Sequence, residues 1–339
     1  MAGLILGIET SCDETAAAVV AGGRRLLTNI ISSQIELHQP FGGVVPELAS
    51  RNHLENINLI IQEALAAAGV SWKDLDGIAV TYGPGLVGAL LVGVTVAKAI
   101  AFARRLPLVG VNHLEGHIYA NFLAHPHLEP PFVSLVVSGG HTDLLHVLGY
   151  GRYRILGRTR DDAAGEAFDK VARVLGLGYP GGPQIEAAAR EGNPGAISFP
   201  RAVVKDAPFD FSFSGLKTAV LNYLNRSRQR GEIINAADVA ASFQEAVVEV
   251  LVERTLAAAA RCRVDRVAVC GGVAANSALR SLFQAQSAGT GIEVLYPPPV
   301  LCTDNGAMIA SVGYYRLQAG HTAPLDLNAV PNLPLENWG

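Results

Sequence analysis

The feature that most constrains the fold of this chain is a local pattern that occurs twice. Near the start, the apolar run Leu4–Glu9 is followed by the polar segment Thr10–Glu14 and a second apolar run, Thr15–Val20. The same order returns within Phe132–Leu148, around the polar turn Ser138–Asp143. Short apolar runs joined by a tight polar turn predict paired strands. The repetition therefore predicts a duplicated fold, with one copy in each half of the chain.

Helical patterns and further buried strands separate and follow these hairpins, which predicts an α/β protein. The chain has 339 residues, more than the roughly 250–300 over which a single core grows. We therefore expect an N-terminal lobe over residues 1–131 and a C-terminal lobe over 132–339. The second lobe carries an insertion at about 158–230, and the last helix, about 304–320, is expected to pack back on the first lobe.

Composition excludes some classes of protein. With 50% hydrophobic and 17% charged residues, the chain is not intrinsically disordered. A net charge of −4 excludes nucleic-acid binding by bulk positive charge. The uncharged stretch Ile78–Ala97 is interrupted by Gly83-Pro84-Gly85, so we interpret it as a strand, a turn and a helix rather than a membrane span. The four cysteines lack a C-x-x-C spacing, and no targeting segment is visible, so we expect a cytoplasmic protein.

A candidate metal site begins with His113 and His117, whose spacing places both imidazoles on one face of a helix. Asp304, in a turn that opens a helix, is a candidate third ligand. Two histidines and one carboxylate suit Fe(II) and also Zn(II). The alternatives are two unrelated histidines and an Asp304 that caps the helix. A metalloprotease is excluded because Leu114 and Gly116 stand where its general-base glutamate is needed.

Three glycine-containing loops could bind phosphate or carboxylate groups. They are Ser138–Thr142, Gly271-Gly272 and Tyr179–Pro183. Each could equally be an ordinary turn, and none has the G-x-G-x-x-G or G-K-[ST] spacing. An acidic segment, Asp161–Asp169, could bind a ribose or be a solvated helix face.

Several longer motifs together resemble one known family, the bacterial transferases of tRNA threonylcarbamoyladenosine synthesis, formerly named sialoglycoprotein endopeptidases. The resemblance covers essentially the whole chain. The motifs that carry it are Gly7–Thr15, Gly42–Arg51, Gly83–Leu90, His113–His117, Val137–Thr142, Asp161–Lys170, Phe211–Lys217 and the Asp304 turn.

The resemblance implies the actin/Hsp70/sugar-kinase fold, with two lobes around a nucleotide cleft. It implies transfer of a threonylcarbamoyl group from threonylcarbamoyl-AMP to the exocyclic amine of the adenosine next to the anticodon, in tRNAs that read codons beginning with A. It also implies one divalent metal per chain, with iron usually assigned, on His113, His117 and Asp304. The residues that match substrate-binding positions are Val136, Val137, Ser138, Gly139, Gly140, Asp169, Gly182 and Asn276. Glu186 stands where some members have an aspartate that contacts the ribose. No catalytic side chain is implied beyond the metal ligands.

The family also implies partners: tRNA, a paralogous subunit of the same fold and a small ATPase, with no membrane. Candidate RNA-binding clusters are Arg152/Arg154/Arg158/Arg160 and Arg226/Arg228/Arg230. Two other readings stay open at this point. One is an ATP-dependent small-molecule kinase on the same fold, although Mg²⁺ prefers oxygen ligands to histidine. The other is a non-catalytic scaffold related to the transferases.

Overall fold

The structure is a computed structural model that describes residues 3–338. The chain divides into two compact units. Unit 1 contains Met1–Pro130, Gly149–Arg152 and Pro297–Gly339, and unit 2 contains Pro131–Leu148 and Tyr153–Tyr296. Thus the whole C-terminal segment from Pro297 groups with the first unit, and not only the last helix.

The ten strands are β1 (Leu4–Glu9), β2 (Glu14–Ala21), β3 (Arg25–Ser33), β4 (Gly77–Gly83), β5 (Leu108–Asn112), β6 (Phe132–Val137), β7 (Thr142–Gly149), β8 (Arg152–Arg158), β9 (Arg266–Cys270) and β10 (Glu293–Leu295), all within residues 3–338. The α-helices in the same range are α1 (Ile35–His38), α2 (Pro46–Ala68), α3 (Val87–Arg104), α4 (His113–Ala124), α5 (Ala164–Leu175), α6 (Gly181–Ala189), α7 (Ser214–Gln229), α8 (Ala236–Cys262), α9 (Ser277–Ser287), α10 (Pro299–Cys302) and α11 (Gly306–Gln318).

The two sheets have the same topology, which confirms the duplicated α/β fold. The first has the strand order β3-β2-β1-β4-β5, and the second, read from its other edge, has the order β8-β7-β6-β9-β10. In each sheet the opening hairpin is antiparallel, as β1 with β2 and β6 with β7. In each, the first strand of that hairpin also pairs in parallel with the next strand of the sheet, β1 with β4 and β6 with β9.

A close approach of helix to strand places the last helix in unit 1. A Cβ atom on Gly7 of β1 would lie 2.2 Å from the carbonyl oxygen of Gly306 and 2.4 Å from the backbone nitrogen of Ala310. No larger residue at position 7 could let α11 start so near the middle of the sheet. This contact fixes the position of the turn just before α11, which contains Asp304.

The uncharged stretch forms β4, a turn and α3, as the sequence predicts. Within residues 3–338, α3 is the one helix that is long and apolar enough, by length and composition, to cross a membrane. Its Val94, Ala97 and Ala101 belong to the same core cluster as Ile78 and Val80 of β4. One face of α3 is therefore a core face of unit 1.

Some elements differ from the sequence prediction. Helix α2 begins at Pro46 rather than at His53. Proline is favourable at the first position of a helix because the N–H group that it lacks would have no partner within the helix there. Strands β3, β8 and β10 were not predicted. Strand β3 has mostly half-buried residues and β10 has only three residues, so neither gives a clear apolar alternation.

Candidate metal site and substrate-binding loops

The first two members of the site lie on α4, directly after β5. Asn112, the last residue of β5, caps the helix, since its side-chain oxygen accepts a hydrogen bond of 2.9 Å from the backbone N–H of Leu114. The helix then brings His113 and His117 together, with ring centroids 4.7 Å apart and an angle of 79° between the rings. Both imidazoles are buried.

Asp304 completes the cluster from the turn before α11. Its Oδ1 lies 3.4 Å from Nε2 of His113 and 3.3 Å from Nε2 of His117. Asp304 does not cap α11. The cap is Asn305, whose side chain accepts a 3.0 Å hydrogen bond from the backbone N–H of Met308. The alternative role considered for Asp304 is therefore excluded, and its carboxylate faces the two histidines.

This cluster fits a single metal ion. One ligand atom from each of the three residues lies within 4.8 Å of the others. The side chain of His117 is fully buried, yet neither of its ring nitrogens makes a hydrogen bond. Buried polar atoms are nearly always paired, because losing water without replacement is costly. A metal ion on Nε2 would satisfy that atom, and the donor set suits a divalent transition metal.

A buried carboxylate orients His113. Nδ1 of His113 lies 3.0 Å from Oε2 of Glu9 and 3.1 Å from Oγ of Ser11. Glu9 is fully buried at the end of β1, and it also accepts hydrogen bonds from the hydroxyl of Thr81 (2.7 Å) and the backbone N–H of Ser11. The charge of Glu9 favours a proton on Nδ1, which leaves the lone pair of Nε2 directed at the cluster. Metal-binding histidines commonly have such a partner.

The role of Glu9 does not follow from the sequence motifs. The available signal was a charged residue at the end of an apolar strand, where an acidic side chain is rarely buried without a partner. The partner, His113, is 104 residues away in the sequence, so only the fold pairs them.

The carboxylates strongly affect ionisation at the site. Burial acts to lower the pKa of His113, but the charges of Asp304 and Glu9 outweigh it and raise that pKa to about 9. Burial, with Asp304 and Asp13 nearby, holds the pKa of Glu14 well above its usual value. Burial and the same two aspartates also raise the pKa of the Cys12 thiol. The charges of Asp304 and Glu9 thus give the cluster a negative potential, which attracts a cation.

In unit 2, the Ser138 turn follows β6 and is closed by two hydrogen bonds. The backbone N–H of Ser138 donates to the carbonyl of His141 (2.9 Å), and the N–H of His141 donates to Oγ of Ser138 (3.2 Å). Cβ atoms placed on Gly139 and Gly140 would meet no other atom within 4 Å. The backbone there is open to a ligand. By contrast, the side chains of Val136 and Val137 are fully buried in the strand, so only their backbone could contact one.

The other predicted substrate residues hold the starts of helices. Asp169 accepts a 2.7 Å hydrogen bond from the N–H of Gly181, at the start of α6. Asn276 caps α9 and donates to Gln244 at 2.8 Å. Glu186 accepts hydrogen bonds from the backbone N–H (3.2 Å) and hydroxyl (2.5 Å) of Ser277, the first residue of α9.

The same region contains two further open backbone positions, Gly182 on α6 and Gly272 after β9, where a Cβ would meet nothing within 4 Å. Gly271 beside it is tightly packed, since a Cβ there would lie 2.3 Å from the carbonyl of Val137. The ends of β6 and β9 and the first turn of α6 thus provide open glycine backbone for a ligand, while side chains of the protein already accept hydrogen bonds from N–H groups at the starts of α6 and α9.

Comparison with known proteins identifies the family. The sequence model of the tRNA N6-adenosine threonylcarbamoyltransferases matches residues 25–311. The chain belongs to this family. It is an enzyme of the transferase class, as the family's name states. Among similar members are tRNA N6-adenosine threonylcarbamoyltransferases of Clostridium perfringens (strain ATCC 13124), 60% identical over 332 residues that cover 98% of each chain, and of Desulfitobacterium hafniense (strain Y51), 60% identical over 331 residues that cover 98% of this chain and 97% of the other.

Solved structures with low sequence identity share the fold of this transferase family member. HypF from T. kodakarensis is similar with a TM-score of 0.64 and 16% identity, over 94% of this chain and 48% of that one. Component A of the (R)-2-hydroxyglutaryl-CoA dehydratase of Acidaminococcus fermentans is similar with a TM-score of 0.53 and 18% identity, over 94% of this chain and 99% of that one. These neighbours support the actin/Hsp70/sugar-kinase fold and carry no argument about substrate.

Proposed function

We propose that this chain transfers a threonylcarbamoyl group from threonylcarbamoyl-AMP to N6 of the adenosine next to the anticodon, in tRNAs that read codons beginning with A. The observation that carries the proposal is the His113/His117/Asp304 cluster in a member of this transferase family. We assign these three side chains as ligands of one divalent ion, with Fe(II) first and Zn(II) as the alternative.

The chemistry needs positioning and charge stabilisation more than a covalent intermediate. In the transfer, a bond forms between N6 and the carbamoyl carbon, the bond from that carbon to the phosphate oxygen breaks, and AMP leaves while the amine loses a proton. A bound metal ion supplies Lewis-acid polarisation of the threonylcarbamoyl oxygens. Glu9 keeps the His113 ring in the orientation that ligation requires.

We propose that the adenylate part of the donor is bound in unit 2. The open backbone at Gly139, Gly140, Gly182 and Gly272 supports this assignment, because N–H groups there can approach a phosphate or ribose without obstruction. Val136 and Val137 contribute backbone only. The starts of α6 and α9 are fixed by Asp169, Asn276 and Glu186. We propose that these three side chains also contact the ligand.

The partners we propose are tRNA, a paralogous subunit of the same fold and a small ATPase, in the cytoplasm. Helix α3 offers a surface for the paralogous subunit: Val87, Leu91 and Phe102 are exposed by 54%, 41% and 73%. With Ala99 and the polar Thr95 between them, they follow helical spacing and lie along one exposed face of α3, and exposed apolar side chains on one face are typical of a protein interface.

The test is transfer of the threonylcarbamoyl group, radiolabelled in its threonine part, from preformed threonylcarbamoyl-AMP to tRNA, with the purified chain alone and with its partners. The double variant His113→Ala/His117→Ala should lose bound metal and more than about 99% of transfer, since one catalytic electrostatic group alone is worth about 100-fold. A matched control is His125→Ala/His127→Ala, a second pair of neighbouring histidines outside the cluster. Full metal content in the first double variant would contradict the ligand assignment. ATP-dependent phosphorylation of a small molecule, or no transfer under any condition, would favour the kinase or scaffold reading.

A further inference from the structure

Residues 321–338, which we call the C-terminal tail, contain no helix or strand and pass along the ends of β4 and β5. The backbone N–H of Val330 donates to the carbonyl of Tyr82 at 2.7 Å. The side-chain N–H of Asn112, the residue that caps α4, donates to the carbonyl of Pro334 at 3.0 Å. The tail therefore reaches the start of the helix that carries the two histidines.

The end of the tail is held by Trp338. Its backbone N–H donates to the carbonyl of Gly151 at 2.9 Å. Gly151 has a φ of +66°, and a Cβ on it would lie 1.9 Å from the indole ring, so the ring packs directly on glycine backbone. The indole N–H then donates to Oε1 of Glu115 at 2.6 Å. Trp338 is thus fixed on both sides.

Glu115 lies between His113 and His117 in the sequence but points to the other side of α4. It is 1% exposed, although it is a carboxylate. Its second oxygen, Oε2, lies 3.1 Å from the guanidinium of Arg316 on α11. That guanidinium also lies over the Trp338 ring, 5.3 Å from its centre. The carboxylate is therefore held by two directional donors, one from α11 and one from the C-terminal tail.

We propose that the C-terminal tail is a positioning element of the metal site, acting through the Trp338–Glu115 hydrogen bond on the helix that carries His113 and His117. This inference rests on the metal site proposed above. Metal–ligand distances tolerate errors of only about 0.2 Å, and both imidazoles move with α4 as one body. A contact that fixes the rotation and depth of this helix from behind therefore tunes both ligands at once, and α11, which follows Asp304, is tied to the same carboxylate.

The competing explanation is that Trp338 only satisfies a buried charge. In that case removing the indole N–H would lower stability, and metal binding by the folded protein would be unchanged. Positioning instead predicts a change at the metal site itself, which lies on the opposite face of α4. By linkage, it also predicts that metal binding changes the environment of the Trp338 ring.

The chain offers a matched pair of variants, because it contains only two tryptophans, Trp72 and Trp338. Trp338→Phe keeps a ring and removes the N–H donor. Trp72→Phe is the control, since Trp72 stacks on Arg104 and is not in the Glu115 network. The probe is Co(II) added to the metal-free full-length chain, followed by calorimetry and by the visible absorption bands, which report ligand geometry. Thermal unfolding of the metal-free variants measures stability separately.

We expect Trp338→Phe to weaken Co(II) binding about 3- to 30-fold and to shift the absorption bands, because changes in groups that orient ligands cost roughly 10- to 100-fold when they contact the ligand itself. Trp72→Phe should bind as the unmodified chain does, and in that background Zn(II) should change the emission of Trp338. If Trp338→Phe and Trp72→Phe both bound Co(II) with the affinity and spectrum of the unmodified chain, the role of the tail would be overturned and the metal site would stand. If the unmodified chain bound no Co(II), the metal site and the role of the tail would fall together.

Discussion

The ionisation of His113 predicts a steep pH dependence of metal binding. In the metal-free chain the carboxylates of Asp304 and Glu9 raise the pKa of His113 to about 9. At pH 7, two units below this pKa, all but about 1% of the molecules carry His113 in its charged form, with both ring nitrogens protonated. The ligand must be neutral, so a metal ion has to displace the proton on Nε2. The displacement weakens apparent binding at pH 7 about 100-fold, or roughly 3 kcal/mol, relative to pH values above 9.

The expected result is a tenfold rise in apparent Co(II) affinity for each unit between pH 7 and pH 8.5, with about one proton released per ion. Competition titrations against a chelator of known affinity measure the slope. Calorimetry in two buffers with different ionisation enthalpies measures the proton. The variant Glu9→Gln removes one of the two charges that raise the pKa of His113, so its slope in this range should be smaller. Glu63→Gln, on an exposed position of α2, is the matched control.

A flat affinity between pH 7 and pH 8.5, with no proton released, would refute the reasoning. It would mean that His113 is already neutral before the metal ion binds. The charges of Asp304 and Glu9 would then not outweigh the burial of the ring.

Three further predictions follow from the same structure. Because its pKa is raised, protonated His113 contributes to the free energy of unfolding of the metal-free chain; this contribution is complete below pH 6.5 and is lost as the pH rises through 9. Urea unfolding should therefore show about 3 kcal/mol less stability at pH 10 than at pH 6, and His113→Ala should remove that difference. Gly272→Val should weaken AMP binding at least about fivefold by calorimetry, because each blocked hydrogen bond costs about 1 kcal/mol or more, whereas Gly195→Val, on an exposed loop, should bind normally. Exposed Arg226, Arg228 and Arg230 at the end of α7 should contact tRNA phosphates, so reversing all three to Glu should lower affinity and reduce the slope of log affinity against log salt by about 2 to 3; an unchanged slope would assign RNA binding elsewhere.

The sequence by itself determined the repeated hairpins, the pair of neighbouring histidines and the glycine loops. These features are local: a strand pair needs two neighbouring apolar runs, and His113 and His117 meet because one helical turn separates them. The turn before the last helix also indicated Asp304 as a candidate third ligand, and the structure places its carboxylate beside both rings. The motif resemblance indicated the family, which the family match confirmed.

Only the tertiary structure decided which distant groups act on these residues. Two contacts join residues that are distant in the sequence: Glu9 pairs with His113, and Trp338 donates a hydrogen bond to Glu115. A third feature is a choice between adjacent side chains, since Asn305 rather than Asp304 caps α11. Local propensity treats Asp304 and Asn305 as equal caps. The close packing of α11 on Gly7 fixes where that turn lies and so which side chain faces the histidines. Burial then decides the chemistry, because a carboxylate shielded from water shifts the pKa of a neighbouring imidazole far more than an exposed one does.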